Sequence, residues 1–137
     1  MSLKLAVELC TEIYNKTAIR GWYPALTGGT LYKEGERKDI DIAFYTNRQR
    51  APTKLQLIQE LVLIPGFTFE RVMPNWIWKG HYHDNRIPVD LFFPEDDKET
   101  AFSQLLQLAG FSVDPVEQFC ETFDIEYGWS PNHGYGR

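Results

Sequence analysis

Apolar side chains recur every three or four residues in two segments near the ends of the chain, as in amphipathic helices. Thr53 and Gln56 have the spacing of a capping box, and Pro65-Gly66 ends the segment that follows them. Asp96 or Asp97 is positioned to cap the third segment, and residues 114–123 form a fourth, short segment of the same type. The predicted helices are residues 3–19, 54–64, about 98–109 and 114–123.

Other segments alternate apolar and polar side chains with a period of two, which predicts strands. The alternation is strictest in residues 39–45, where the apolar side chains at even positions face one way and Asp39 and Asp41 face the other. Pro88 lacks an amide hydrogen, which predicts an edge position or a bulge for the strand that contains it. The predicted strands are residues 23–27, 39–45, 67–73, 76–82 and 86–93.

The composition is that of one globular domain. The chain has 137 residues, of which 43% are apolar and 15% aromatic, enough for a sizeable core. No run approaches 18 apolar residues, so we expect no membrane span. Cys10 and Cys120 make no disulfide framework, and the N-terminal residues lack the features of a signal peptide. We therefore expect a reduced, cytoplasmic compartment.

The net charge of −5 is unevenly distributed. Residues 1–93 carry 12 basic and 10 acidic side chains, whereas residues 94–127 carry Lys98 and nine acids. Phosphate tracks need clustered Lys and Arg, so we expect no long nucleic-acid track. The acidic third is better explained as a solvated surface than as a specific site, although it would suit a cationic small molecule.

Three features carry candidate chemistry: Gly28-Gly29 after a predicted strand, the pair Asp39 and Asp41, and Asp90 inside an apolar strand. Residues i and i+2 of a strand point the same way, so Asp39 and Asp41 share one face, with Cα atoms roughly 6.5 Å apart. Two such carboxylates repel each other unless a cation lies between them. Glycine lets backbone N–H groups approach phosphate without interference from a Cβ.

Each motif alone has a simpler explanation. A strand with two aspartates is often only a solvent-exposed face, and a glycine pair is usually a turn. Asp90 is less easily explained in this way, because a charge between apolar neighbours needs a partner. The three motifs in this order and at this spacing are what point to a site.

Together these motifs resemble the hG[GS]…DhDh…hDh signature of the DNA polymerase β-like nucleotidyltransferase superfamily over roughly residues 22–93. The run from Gly35 to Ile42 is most similar to the small aminoglycoside and lincosamide nucleotidyltransferases. The resemblance implies a single α+β domain in which a short mixed sheet has helices packed mainly on one side. That domain would span residues 1–137, with its core at about 22–93 and a helical, acidic extension at about 94–137.

The resemblance also implies the roles of individual residues. Asp39 and Asp41 would bind metal together with the nucleoside triphosphate, and Asp90 would bind the catalytic metal and take a proton from the acceptor hydroxyl. Mg²⁺ or Mn²⁺ is the implied metal, with two ions in the site. Residues implied or positioned to contact the nucleotide phosphates are Gly28, Gly29, Thr30, Arg37 and Lys38. The sequence departs from the family in having Gly29 followed by Thr30, where many members have serine at the second glycine position or soon after it.

The implied function is transfer of a nucleoside monophosphate to a hydroxyl on a small molecule, an RNA end or a protein. The alternative is an inactive antitoxin of this fold or a nucleotide-binding interaction module. The short chain also leaves open a homodimer or a toxin partner. Arg71, Lys79 and Arg86 lie on strands near Asp90, where one could neutralise triphosphate charge, although a surface ladder of charges explains most of them. A zinc site at His81 and His83 is disfavoured, because no other His or Cys pair completes it.

Overall fold

The computed structural model describes residues 3–27, 39–74, 76–83, 87–96 and 114–128. Within these ranges the three α-helices are α1 (Leu3–Thr17), α2 (Lys54–Leu61) and α3 (Pro115–Thr122). Short 3-10 helices follow at Ala18–Arg20 and Arg48–Arg50. Three predicted helices are therefore confirmed with somewhat different ends, and the one predicted over about 98–109 lies outside the described residues.

Capping residues define where two of the helices begin. The Thr53 side chain accepts a hydrogen bond from the Gln56 amide, and the Gln56 side chain accepts one from the Thr53 amide. This reciprocal pair is the predicted capping box, and it satisfies amide groups that a helix start leaves without partners. The Asp114 side chain accepts from the Val116 amide in the same way at α3, where Pro115 opens the helix.

Six strands form one mixed sheet in the order β1-β2-β5-β4-β3-β6. The strands are β1 (Trp22–Leu26), β2 (Ile40–Thr46), β3 (Phe67–Met73), β4 (Ile77–Tyr82), β5 (Ile87–Phe92) and β6 (Glu126–Tyr127). β2 pairs with β5 in parallel, and β3 pairs with β6 in parallel, while the other neighbours are antiparallel. The fold is therefore α+β, as predicted, with a sixth strand that the sequence pattern did not indicate.

The prediction that Pro88 marks an edge strand or a bulge is wrong for β5, which lies between β2 and β4. The register explains how proline is accommodated there. The β2–β5 ladder begins at Ile40 and Val89, one residue after Pro88, while Pro88 itself is opposite His81 of β4. Its missing amide hydrogen therefore removes no bond from the ladder with β2.

One face of the sheet packs against all three described helices. Ile42 of β2 and Leu91 of β5 are fully buried on this face, in one core cluster with side chains of each helix. The helix contributions are Ala6, Leu9, Ile13, Leu57, Ile58, Leu61, Val116 and Cys120. Because strand side chains alternate, the residues next to Ile42 and Leu91 project from the opposite face. Asp41 and Asp90 are among them.

The longest described helix, α1, has 15 residues. In the part of the chain that the structure describes, no helix has both the length and the apolar character needed to cross a membrane.

Candidate functional site

Asp41 and Asp90 lie side by side on neighbouring strands. In the parallel pairing of β2 with β5, Asp41 is the register partner of Asp90, and Ile42 is the partner of Leu91. Neighbouring strands are about 4.8 Å apart, and register partners project from the same face. Burial of Ile42 and Leu91 against the helices therefore turns both carboxylates to the opposite face of the sheet.

Asp39 lies two residues before Asp41, immediately before β2 begins, and is exposed to solvent. Its spacing from Asp41 puts it on the same side of the chain as the two paired carboxylates. The structure therefore brings Asp39, Asp41 and Asp90 to one region of the sheet.

Lys79 of β4 is the counter-charge of this region. It is the register partner of Asp90 across the antiparallel β4–β5 pair, and its Nζ lies 3.2 Å from Asp90 Oδ1. The side chains are 31% and 16% exposed, so this ion pair is only partly screened by water. Three adjacent strands thus place the charges Asp41, Asp90 and Lys79 in one row.

The pKa of Asp41 is raised above the usual aspartate value of 3.8. Burial is the largest cause, and the negative charges of Asp90 and Asp39 raise the pKa further, while Lys79 opposes them. All the predicted carboxylates therefore interact electrostatically with Asp41. The charged form of Asp41 is held in an environment that disfavours it.

We expect the substitution Asp41→Asn to stabilise the protein at pH 7, by up to about 1 kcal/mol. Because the pKa of Asp41 is higher in the folded protein than in the unfolded chain, protonation of Asp41 favours folding. This stabilisation is complete below the usual pKa of 3.8 and is lost as the pH rises through the raised pKa. At neutral pH the Asp41 charge therefore opposes folding. Urea unfolding of both proteins between pH 4 and 7 should show the advantage of the variant growing with pH. An advantage that is absent or shrinks with pH would contradict the prediction.

The two ends of the segment that contains Gly28 and Gly29 lie beside these carboxylates. The Thr27 amide donates a hydrogen bond of 2.9 Å to the carbonyl oxygen of Asp41, and the residue after Thr27 is Gly28. The segment returns at Asp39, two residues before Asp41. The predicted phosphate-binding residues themselves lie outside the described residues; they are Gly28, Gly29, Thr30, Arg37 and Lys38.

Arg71, another of the basic candidates, has structural partners away from the carboxylates. Arg71 donates to the Gly128 carbonyl at 2.9 Å and lies 3.6 Å from Glu126, so it ties β3 to β6. The Tyr82 hydroxyl donates to Glu8 at 3.0 Å and links the sheet to α1. Arg86 lies outside the described residues. Among the basic candidates that are described, Lys79 is the one paired with a predicted site carboxylate.

A metal site must be judged from the donors that are present. In the described ranges, no group of three or more His, Cys, Asp or Glu side chains is arranged to hold a metal ion. Asp41 and Asp90 nevertheless supply oxygen donors in register on adjacent strands, and hard divalent cations prefer such donors. Asp90 already binds a positive charge, the Lys79 ammonium. The donor chemistry therefore fits Mg²⁺ or Mn²⁺, with Lys79 holding one of the donors.

The Lys79–Asp90 ion pair was not predicted from the sequence, although a signal for it exists. If Tyr82 and Ile87 are the pair next to the turn of a hairpin, then three residues farther from the turn on each strand Lys79 is opposite Asp90. From the sequence alone, Lys79 is expected near Asp90, either as a group that neutralises triphosphate charge or as part of a surface ladder of cross-strand charges.

A second feature, an acidic cleft, lies apart from the carboxylate row. It has a volume of about 320 Å³ between α3 and β6, and β6 is separated from β5 by β3 and β4. Its lining is Glu117, Cys120, Glu121, Asp124, Ile125, Glu126 and Tyr127. No predicted site residue contributes to it, so we do not assign the candidate chemistry there.

Comparison with known proteins adds no identification. No family model matches the chain, and no curated protein matches it.

Proposed function

We propose that the chain is a metal-dependent nucleotidyltransferase that moves a nucleoside monophosphate from a nucleoside triphosphate to a hydroxyl group. The observation that carries the proposal is the pairing of Asp41 with Asp90 in register on adjacent parallel strands. Like charges directly opposite each other oppose folding. A cation-binding function gives a reason for keeping both.

Two further observations support the same site. The negative charge of Asp39, like that of Asp90, raises the pKa of Asp41. The hydrogen bond from Thr27 to Asp41 brings the chain to the carboxylates just before the glycine pair. The combination of a glycine segment, an aspartate pair and a third carboxylate is what gives the sequence its resemblance to the superfamily signature.

In the proposed reaction the acceptor oxygen forms a bond to the α-phosphorus of the triphosphate. The bond from that phosphorus to pyrophosphate breaks, and the hydroxyl proton is lost. Asp90 would accept this proton on its carboxylate. Backbone N–H groups of Gly28 and Gly29 would orient the phosphates, so that much of the catalysis is positioning.

Asp39, Asp41 and Asp90 would hold the two Mg²⁺ or Mn²⁺ ions of the proposed site. Bound there, the metal supplies positive charge that offsets the triphosphate and the charge developing on the leaving group. The acceptor belongs to one of three classes: a small molecule, an RNA end or a protein. Of these classes, a cationic small molecule would suit the negative charge of residues 94–127, although the described acidic cleft lies apart from the carboxylate row.

The Lys79–Asp90 ion pair favours one second candidate, a nucleotide-binding or antitoxin-like interaction module without catalysis. A carboxylate that is permanently neutralised by lysine neither binds metal nor accepts a proton. In that case the fold would be kept while the reaction was lost. The two candidates differ in whether nucleotide binding requires metal.

Calorimetry with each nucleoside triphosphate, with and without Mg²⁺, tests the proposal. We expect wild-type protein to bind a triphosphate only with Mg²⁺. The double variant Asp39→Asn/Asp41→Asn should lose this binding by at least about a hundredfold, since two metal-binding carboxylates are removed.

Asp124→Asn is the matched control for this experiment. Asp124 is exposed and has a positive φ of 58°, a conformation that asparagine tolerates well. The control should bind as the wild type does. Binding that survives in the double variant, or that needs no metal, would contradict the proposed site. A folded wild-type protein that binds no triphosphate would favour the interaction module.

A further inference from the structure

The carboxylate row contains a positive charge where the proposed function needs a metal ion. Lys79 Nζ contacts Asp90 Oδ1 at 3.2 Å, and the Asp90 side chain is only 16% exposed. Asp41 lies beside Asp90 in register. The ammonium is therefore held against one of the oxygen donors that a divalent cation would use.

The charge of Lys79 also affects Asp41, in addition to its direct partner Asp90. Its charge acts on Asp41 in the direction opposite to the charges of Asp90 and Asp39. A single ammonium on β4 thus partly balances carboxylates on two neighbouring strands. Without it, the row would contain only negative charges.

We propose that Lys79 is an internal counter-ion that competes with the metal for Asp90, so that loading the site requires displacement of its ammonium. The inference rests on the proposed function, because it assigns a role in the same site. In the free protein the ion pair lets Asp41 and Asp90 remain in register without metal. On loading, Asp90 would exchange the Lys79 ammonium for the metal ion.

The geometry of Lys79 suits such an exchange. Its side chain is 31% exposed, so the ammonium can leave Asp90 and be hydrated without a rearrangement of the sheet. The backbone of β4 is fixed by its ladders to β3 and β5 on both sides. Displacement therefore needs rotation about side-chain bonds only.

Binding of Mn²⁺ alone, without nucleotide and at fixed ionic strength, tests the proposal. Titration followed by electron paramagnetic resonance measures free Mn²⁺ directly. We expect Lys79→Met to bind Mn²⁺ about tenfold more tightly than the wild type, because a repelling charge near a divalent cation is removed. Lys79→Arg, which keeps the charge, should bind as the wild type does.

Lys54→Met is the matched control. Lys54 forms an ion pair with Asp96, and these side chains are 28% and 25% exposed, close to the values for Lys79 and Asp90. Removing its charge should leave Mn²⁺ affinity unchanged. The double variant Lys79→Met/Asp90→Asn should not bind Mn²⁺ more tightly than the wild type, because it lacks the Asp90 carboxylate for which Lys79 and the metal compete.

The outcomes separate the two proposals. Equal or weaker Mn²⁺ binding by folded Lys79→Met would overturn the counter-ion role while leaving the metal site in place. No Mn²⁺ binding by the wild type or any variant would overturn the metal site and the counter-ion role with it. Melting temperatures verify folding, and Lys79→Gln, which can still donate to Asp90, replaces Lys79→Met if that variant does not fold.

Discussion

Replacing Asp90 by asparagine is expected to lower the rate of the proposed nucleotidyl transfer by about a thousandfold or more. The substitution keeps the size of the side chain but removes the negative charge and the proton-accepting oxygen. General base catalysis alone typically contributes a factor of about 10²–10⁴. Loss of a metal-binding oxygen adds to this.

The measurement is transfer of label from an α-labelled nucleoside triphosphate to an acceptor that the wild type modifies. Asp90→Asn leaves Lys79 without its partner at 3.2 Å, so its melting temperature must be measured beside its activity. Asp96→Asn, which removes the carboxylate that pairs with Lys54, is the control and should retain activity. A folded Asp90→Asn protein with nearly wild-type transfer would contradict the role of Asp90.

Gly80→Ala is expected to destabilise the fold by about 3 kcal/mol, the upper part of the usual range for overpacking a core. A Cβ on Gly80 would lie 2.6 Å from the carbonyl oxygen of Thr68 and 2.7 Å from the ring of Phe67. The Thr68 oxygen belongs to the backbone of β3, so it cannot move aside as a flexible side chain can. Strands β3 and β4 would have to separate.

Urea unfolding of wild type and Gly80→Ala gives the change in the free energy of unfolding. Thr68→Ala is the control, because Thr68 is exposed on the adjacent strand and its loss should change stability by only about 0.5 kcal/mol. Lys79 precedes Gly80, so a displaced β4 should also loosen the Lys79–Asp90 pair. A loss below about 1 kcal/mol in Gly80→Ala would contradict the predicted clash.

Local patterns in the sequence were sufficient for most helices and strands. The capping box at Thr53 and the alternation of residues 39–45 act over a few residues, and the structure contains both. The shared face of Asp39 and Asp41 follows from the same alternation. Helix ends were less accurate: the helix predicted over 54–64 ends at Leu61. Its last residues form turns, in which the amides of Leu63 and Ile64 donate to the carbonyls three residues back instead of four.

The predicted phosphate-binding residues remain predictions, because Gly28 to Lys38 lie outside the described residues. The three aspartates are described, and their common location agrees with the order of the motifs. The chemistry assigned to them is a proposal that the metal-binding and transfer experiments test.

The sequence by itself determined which face of its strand each carboxylate occupies, because alternation is a local consequence of backbone geometry. It did not determine that the strand with Asp90 lies beside the strand with Asp41. Only the tertiary structure inserted β5 between β2 and β4, which put Asp90 beside Asp41 on one side and Lys79 on the other. That order depends on burying Ile42, Leu91 and Trp78 together against the helices, and such packing joins residues far apart in the chain.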